Sequence, residues 1–224
     1  MTACESWSMR GGLQTPWYRL FDRLRRRVNR TLVNFLTRHL HDSDIQSTAR
    51  TRTLEAGSGP GFATSLLTQR PDITLAVCLD IDVNALREAR RRDPELPVVV
   101  GDINRMPFAD GVFDVVFNSS TVEHLDEPLA AVREMHRVCH PAGRVFVGVP
   151  YLWGPLGFQP LIAATAVGVW IGRVFARRSL DRLLVAAGLT PICHLRYFGN
   201  FFLGAVCTPS GSQQGRPWDA RPPC

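Results

Sequence analysis

Residues 53–61 read Thr-Leu-Glu-Ala-Gly-Ser-Gly-Pro-Gly: a short apolar run, a carboxylate, then glycines at three alternate positions. Gly57, Gly59 and Gly61 let the backbone turn sharply and approach a ligand with no Cβ in the way. With a strand entering and a helix leaving, such a turn sits at the carboxyl edge of an α/β sheet, where these folds bind cofactors. A glycine-rich turn alone says little. Its meaning comes from the acidic residues that follow it.

Apolar, β-branched-rich runs bounded by turn residues recur at Arg52–Ala56, Ile73–Asp80, Pro97–Asp102, Phe113–Ser119 and Arg144–Pro150. They read as strands buried on both faces. Helical patterns fall between them at Gly61–Gln69, Val83–Arg92 and Pro128–Cys139, the last with Leu129, Val132, Met135, His136 and Cys139 at helical spacing. Alternation of this kind predicts an α/β fold with a parallel sheet and right-handed crossovers. A further helix, Ser179–Ala187, is stopped by Gly188. Strands Pro191–Phe198 and Phe201–Thr208 then flank Gly199-Asn200 as a hairpin. The expectation is a seven-stranded, mostly parallel sheet closing on an antiparallel pair. Residues 1–50 read as a helical cap and 51–208 as one domain with a substrate-side insertion at 151–175. Residues 209–224, rich in Pro, Gly, Ser and Gln, read as a disordered tail.

Composition narrows the class. The 224 residues suffice for one sizeable core, and 45% apolar with 21% charged residues is ordinary for a soluble domain. Every basic residue is arginine, and the net charge of +6 is no nucleic-acid signature by itself. Six scattered cysteines (Cys4, Cys78, Cys139, Cys193, Cys207, Cys224) form no CxxC pair, so neither a metal knuckle nor a disulfide framework is expected. The first fifteen residues lack the apolar run of a secretory signal. The cytoplasm is the expected compartment.

Four segments carry the ligand pattern: Leu54-Glu55-Ala56-Gly57-Ser58-Gly59-Pro60-Gly61, then Leu79-Asp80-Ile81-Asp82, then Val100-Gly101-Asp102-Ile103, and Phe113-Asp114-Val115-Val116-Phe117-Asn118-Ser119 followed by Val122-Glu123-His124-Leu125. In order and spacing, the chain from about Arg52 to Thr208 resembles a class I S-adenosylmethionine-dependent methyltransferase with a Rossmann-like fold. It looks like the small-molecule group that includes the ubiquinone and menaquinone methyltransferases.

The resemblance implies S-adenosylmethionine as cofactor and assigns roles. The loop Gly57, Ser58, Gly59 and Gly61 would pass its aminoacyl end over the backbone, with the Glu55 carboxylate meeting the α-ammonium directly or through water. Asp80, 25 residues beyond Glu55, would accept both ribose hydroxyls and Ile81 would pack on the adenine. Asp82 points the opposite way by strand period and reads instead as the cap of the next helix. Asp102 would meet the adenine amino group and Ile103 its ring, while Asn118 and Ser119 would contact the methionine portion. Asp114 and the segment Arg137–Gly143 read as structural.

Methyl transfer from a sulfonium is an in-line displacement, so positioning dominates. An oxygen nucleophile gains from a base. His124 is the leading candidate, against a plainer role in capping a helix or contacting substrate. Some ubiquinone O-methyltransferases are thought to hold a divalent metal through two glutamates and a histidine in this segment. Here Ser120 stands where the first glutamate would be, so no metal site is expected.

Residues Tyr151 to Gly172 hold no charge and include Trp153, Phe158, Leu161, Ile162 and Trp170, which suggests a small or medium, largely apolar acceptor, lipid- or quinone-like. The run is near membrane-spanning length, but Pro155, Pro160 and its glycines break the first half, and a span there would part the fifth strand from the hairpin. The stretch 16–40 sets Trp17, Leu20, Phe21, Leu24, Val28, Leu32, Phe35 and Leu36 largely at helical spacing among arginines. A capping helix packed over the site is the preferred reading, with peripheral membrane contact the alternative. Two rivals stand. A dinucleotide-linked enzyme is disfavoured because Phe62 occupies the third glycine position of GxGxxG. A catalytically silent binding relative keeps the same cofactor residues. A nucleic-acid substrate is not expected, since Asn118-Ser119-Ser120-Thr121 replaces the proline-rich motif used on flipped bases.

Overall fold

The computed structural model describes residues 27, 29–38, 51–157 and 172–210. Among these, seven strands form one sheet: β1 (Thr51–Ala56), β2 (Ile73–Asp80), β3 (Val98–Val100), β4 (Phe113–Ser119), β5 (Cys139–Pro150), β6 (Leu189–Tyr197) and β7 (Phe202–Pro209). Their spatial order is β3-β2-β1-β4-β5-β7-β6. Strands β1 to β5 are parallel, and β7 runs antiparallel between β5 and β6. The chain starts at the centre, winds outward to β3, then crosses to β4. The carboxyl ends of β1 and β4 therefore form a switch point with a crevice above it.

Among the described residues five helices pack on the sheet: α1 (29–38), α2 (Phe62–Leu67), α3 (Val83–Arg92), α4 (Pro128–Val138) and α5 (Arg177–Ala186). Because successive strand residues point to opposite faces, neighbours along β4 enter different cores. Val116 joins Leu54, Leu79 and Val145 against Val132 and Met135 of α4 and Leu180 and Leu184 of α5. Val115 and Phe117 join Phe146 and Tyr197 against Leu32 and Leu36 of α1 and Ala63 and Leu67 of α2. Each buried Val, Leu, Met or Phe side chain among these contributes about 1.5–3 kcal/mol. The described part of the N-terminal stretch is thus a packing helix. Phe35 meets Phe146 edge to face at 6.0 Å, whereas Arg27 and Arg30 stay exposed.

Local signals set several boundaries. Asp82 caps α3 by accepting the Asn84 N–H at 2.8 Å, as its strand parity required. Asp114 accepts the Arg52 N–H at 2.8 Å and tethers β1 to β4. Two elements differ from expectation. Strand β3 keeps only three residues, because Asp102 turns the chain by accepting from Asn104 N at 2.8 Å. Strand β5 begins at Cys139 instead of Arg144, since Cys139 pairs with Phe113 and the strand tolerates an irregularity next to it.

The crossover from β3 to β4 carries no helix, so its carbonyls need partners. Arg137 of α4 supplies them, donating to Phe108 O at 2.8 Å and Met106 O at 3.1 Å while pairing with Asp110 and Glu134. Glu134 returns a bond by accepting the Met106 N–H at 2.8 Å. The cap at 1–26 and 39–50, the middle of the substrate-side insertion (158–171) and the tail from 211 lie outside the described residues. Among the described residues no helix is long and apolar enough to cross a membrane.

Candidate active site

The carboxyl ends of β1, β2 and β4 lie side by side, with Glu55 opposite Cys78 on one flank and Phe117 on the other. The glycine loop leaves β1 and folds back over β2: the N–H groups of Gly57 and Ser58 both donate to Leu79 O, at 2.8 and 3.0 Å. Gly57 (φ 73) and Gly59 (φ 51) hold left-handed conformations that favour glycine. A Cβ on Gly57 would stand 2.6 Å from Thr121, whereas one on Gly59 would meet nothing within 4 Å. The loop is braced on its inner side and open on its outer side.

Asp80 holds that open corner. Its Oδ2 accepts the Gly59 N–H at 2.6 Å and its Oδ1 accepts the Asp82 N–H at 2.8 Å. Burial pushes its pKa up, opposed by these backbone bonds. Each oxygen retains acceptor capacity for a hydroxyl. Ile81 follows, 60% exposed. Asp102 reaches the same edge and is exposed, with Oδ1 engaged by Asn104, while Ile103 is buried in the core beneath.

Glu55 turns inward. Its Oε2 accepts both the N–H of Thr64, at 3.0 Å, and the Thr64 hydroxyl. Burial raises its pKa from 4.5 to about 7 against the lowering effect of those bonds. A protein carboxylate therefore occupies the first turn of α2. The Thr64 N–H in the first turn of α2 is thus taken by the chain's own carboxyl group and is not left for a phosphate. Oε1 makes no hydrogen bond among the described residues.

Asn118 is fully buried; its Nδ2 donates to Ala56 O and its Oδ1 accepts the Val122 N–H at 3.4 Å. Its side chain thus binds β4 to β1 and to the following turn. The Ser119 hydroxyl shares a hydrogen bond with the Tyr197 hydroxyl at 2.9 Å. The turn Val122–His124 sits on the glycine loop through the Thr121 hydroxyl, which donates to Gly57 O at 3.0 Å. Within it the Ser120 hydroxyl donates to Glu123 Oε1 at 2.6 Å. His124 Nε2 lies 3.8 Å from the same oxygen, and burial lowers the His124 pKa. Among the described residues no third metal-ligating side chain joins Glu123 and His124.

The structure therefore gathers Gly57, Ser58, Gly59, Asp80, Ile81, Asp102 and Ser119 at one edge and sets Gly61, Ile103 and Asn118 beneath it. Four residues matter that sequence reasoning gave no such role: Thr64, Thr121, Glu123 and Tyr197. Glu123 was visible only beside His124. Tyr197 lies 78 residues from Ser119 with no local signal to link them.

A family model described as a methyltransferase domain matches residues 54–147. A demethylmenaquinone methyltransferase of Beutenbergia cavernae is 36% identical over 96 residues, covering 43% of this chain and 39% of the relative. A probable S-adenosylmethionine-dependent methyltransferase of Mycobacterium tuberculosis is 35% identical over 139 residues, 62% of this chain and 48% of the relative. The chain spans less than half the length of these curated relatives. The fold matches a solved S-adenosylmethionine-dependent methyltransferase of Thermotoga maritima at a TM-score of 0.66 and 20% identity, covering 85% of this chain and 92% of that one. It also matches the geranyl diphosphate C-methyltransferase of Streptomyces coelicolor, solved with S-adenosylhomocysteine, at 0.63 and 15%, covering 82% and 81%.

The edge fits an S-adenosyl ligand on its own geometry. The open Gly59 backbone gives close approach, Asp80 offers two acceptors for vicinal hydroxyls, and the uncovered Ile81 gives an apolar face for a ring. The carboxylates of Asp80 and Glu55 suit a cation.

Proposed function

We propose, from the premise that this chain carries a class I S-adenosylmethionine-dependent methyltransferase domain, that it transfers a methyl group to a small or medium, largely apolar acceptor at oxygen, nitrogen or carbon. S-adenosylmethionine, when bound, supplies a methyl group already activated on a sulfonium. The residues of the chain have mainly to hold and orient. Gly59, Asp80 and Ile81 hold the nucleoside, the glycine loop passes under the amino-acid end, and the Ser120–His124 turn, bolted to Gly57, presents the acceptor to the methyl group. The observation that carries the reading is the Gly59–Asp80–Ile81 corner: a loop pinned by a carboxylate whose free lone pairs and apolar neighbour face outward.

The acceptor class rests on the other wall. At the end of β5 come Tyr151 and Trp153, the latter 75% exposed, opening the charge-free run to Gly172. The name of the Beutenbergia relative supports a quinone-like form of this reading. Contact with a membrane surface through 16–40 belongs to the lipid form of the same reading, with the exposed Arg27 and Arg30 on its outer side.

The test is transfer of tritiated methyl from S-adenosylmethionine to quinols, phenols and lipids, read in the organic extract. Label that appears with wild type and disappears with Asp80→Ala supports the reading. Cofactor binding with no label transferred to any acceptor supports the silent-relative alternative.

A further inference from the structure

We propose that Glu123 is the base that accepts the acceptor's proton, and that the acceptor group is accordingly a weakly acidic hydroxyl of the phenol or hydroquinone class; this rests on the methyl-transfer reading above. Three observations carry it.

The first is position. Thr121 fastens this turn to the glycine loop, so a group on the turn stands next to where a methyl donor is held. The second is an incomplete carboxylate. Glu123 is 2% exposed; Oε1 is engaged by Ser120, and Oε2 is buried with no hydrogen-bond partner among the described residues. Ser120 adopts a left-handed backbone (φ 69), uncommon for serine, in the turn that gives its hydroxyl to Oε1. A buried oxygen left without a donor is destabilising, the more so when charged. The O–H of the acceptor is the donor that completes it in the reacting complex.

The third observation concerns the obvious rival. His124 Nε2 faces Glu123, and a Cβ on Gly172 would stand 2.8 Å from Nδ1, so both ring nitrogens lie against protein. The segment 172–175 is fastened there by the Arg173 N–H donating to Glu123 O at 3.1 Å. His124 is a positioning residue of this junction. Among the described residues the titratable groups facing Glu123 are His124 on its own turn and Tyr197 on β6. Arg173 sends its guanidinium to Asp126 O.

The chemistry then chooses the acceptor atom. Amines and stabilised carbanions attack a sulfonium methyl with little help, whereas a hydroxyl gains from proton removal. As the acceptor's O–H bond breaks, its proton passes to Glu123 Oε2. The oxygen's electron pair forms the new bond to the methyl carbon, and the carbon–sulfur pair stays on sulfur as a neutral thioether. Burial gives the Glu123 carboxyl a pKa of about 7, where it exists in both forms near neutrality.

The experiment compares wild type, Glu123→Gln, Glu123→Asp and His124→Gln on a series of substituted phenols, with S-adenosylhomocysteine calorimetry on each. For Glu123→Gln we expect wild-type affinity for S-adenosylhomocysteine and a rate lower by about 10²–10⁴-fold. The loss should be smallest for the most acidic phenols, and the acid limb of the pH profile should vanish. Glu123→Asp should recover part of the rate. Carbon-13 NMR of glutamate-labelled full chain should lose one carboxyl titrating near neutrality in Glu123→Gln. A full rate with the acid limb intact in Glu123→Gln, and its loss in His124→Gln, would overturn the assignment in favour of histidine. Wild type that binds S-adenosylhomocysteine and methylates amines but no phenol would overturn the hydroxyl acceptor and leave the methyltransferase reading standing. Wild type that binds no S-adenosylhomocysteine would overturn both.

Discussion

Replacing Glu55 with glutamine isolates the effect of burying a carboxylate beneath the glycine loop. In the folded chain this carboxyl ionises near 7, against 4.5 for its unperturbed value, with burial as the largest cause. Over that window the native state keeps a proton that the unfolded chain has released, so stability falls as pH rises. At about 1.4 kcal/mol per pH unit the whole window amounts to about 3 kcal/mol. The part lying between about pH 5.5 and about pH 8.5 amounts to about 2 kcal/mol. Glu123 and Asp80, whose pKa values are also raised by burial, add to the same downward trend. Urea unfolding followed by circular dichroism at the two pH values gives the fall for each protein. Glu55→Gln should lose about 2 kcal/mol less than wild type across the interval. Any fixed difference between the glutamine and glutamate contacts to Thr64 cancels in this comparison. Equal pH dependence in the two proteins would refute the reasoning, since it would mean that Glu55 ionises as a solvated side chain.

Other consequences are simpler to check. A Cβ on Gly148 would collide with the Tyr197 hydroxyl and stand 3.1 Å from the Phe146 ring. Gly148→Ala should therefore destabilise by about 1–3 kcal/mol in urea unfolding, and adding Tyr197→Phe should recover part of the loss. Ile81→Asp, at an exposed position, should leave stability within about 0.5 kcal/mol yet weaken S-adenosylhomocysteine binding about tenfold, a change of about 1.4 kcal/mol in calorimetry. Burial pushes the Cys78 and Cys139 thiols up to about 12, so neither should react with a thiol reagent at neutral pH until urea exposes it.

Much of the sheet was legible because its signals are local. Strands Ile73–Asp80 and Phe113–Ser119 are apolar runs closed by turn residues, and α3 begins at Val83 because Asp82 caps it. Their bounds in the structure match those read from the pattern. The start of β5 was not legible: Pro141 and Gly143 read as a turn, but pairing of Cys139 with Phe113 extends the strand through them. That decision is tertiary. The same holds at the site. Asp80 and Ile81 could be placed from strand period and spacing, since the end of a parallel strand has only one edge to face. The direction of Glu55 depended on Thr64, and the role of Ser119 depended on Tyr197 from a strand on the far side of the sheet. Glu123 could be seen as a carboxylate but not as a buried one, because its burial arises only on folding, and the segment that bonds its backbone carbonyl, at Arg173, lies 50 residues away.

Isothermal titration of the purified chain with S-adenosylhomocysteine, repeated on Asp80→Ala, tests the central claim most directly. The Gly59–Asp80–Ile81 corner predicts micromolar binding by wild type, about 8 kcal/mol. It also predicts loss of most of that binding in Asp80→Ala, in which the ribose acceptors and the Gly59 tether disappear together. Wild type that remains folded and binds no S-adenosylhomocysteine, or Asp80→Ala that binds it as tightly as wild type, would contradict the account.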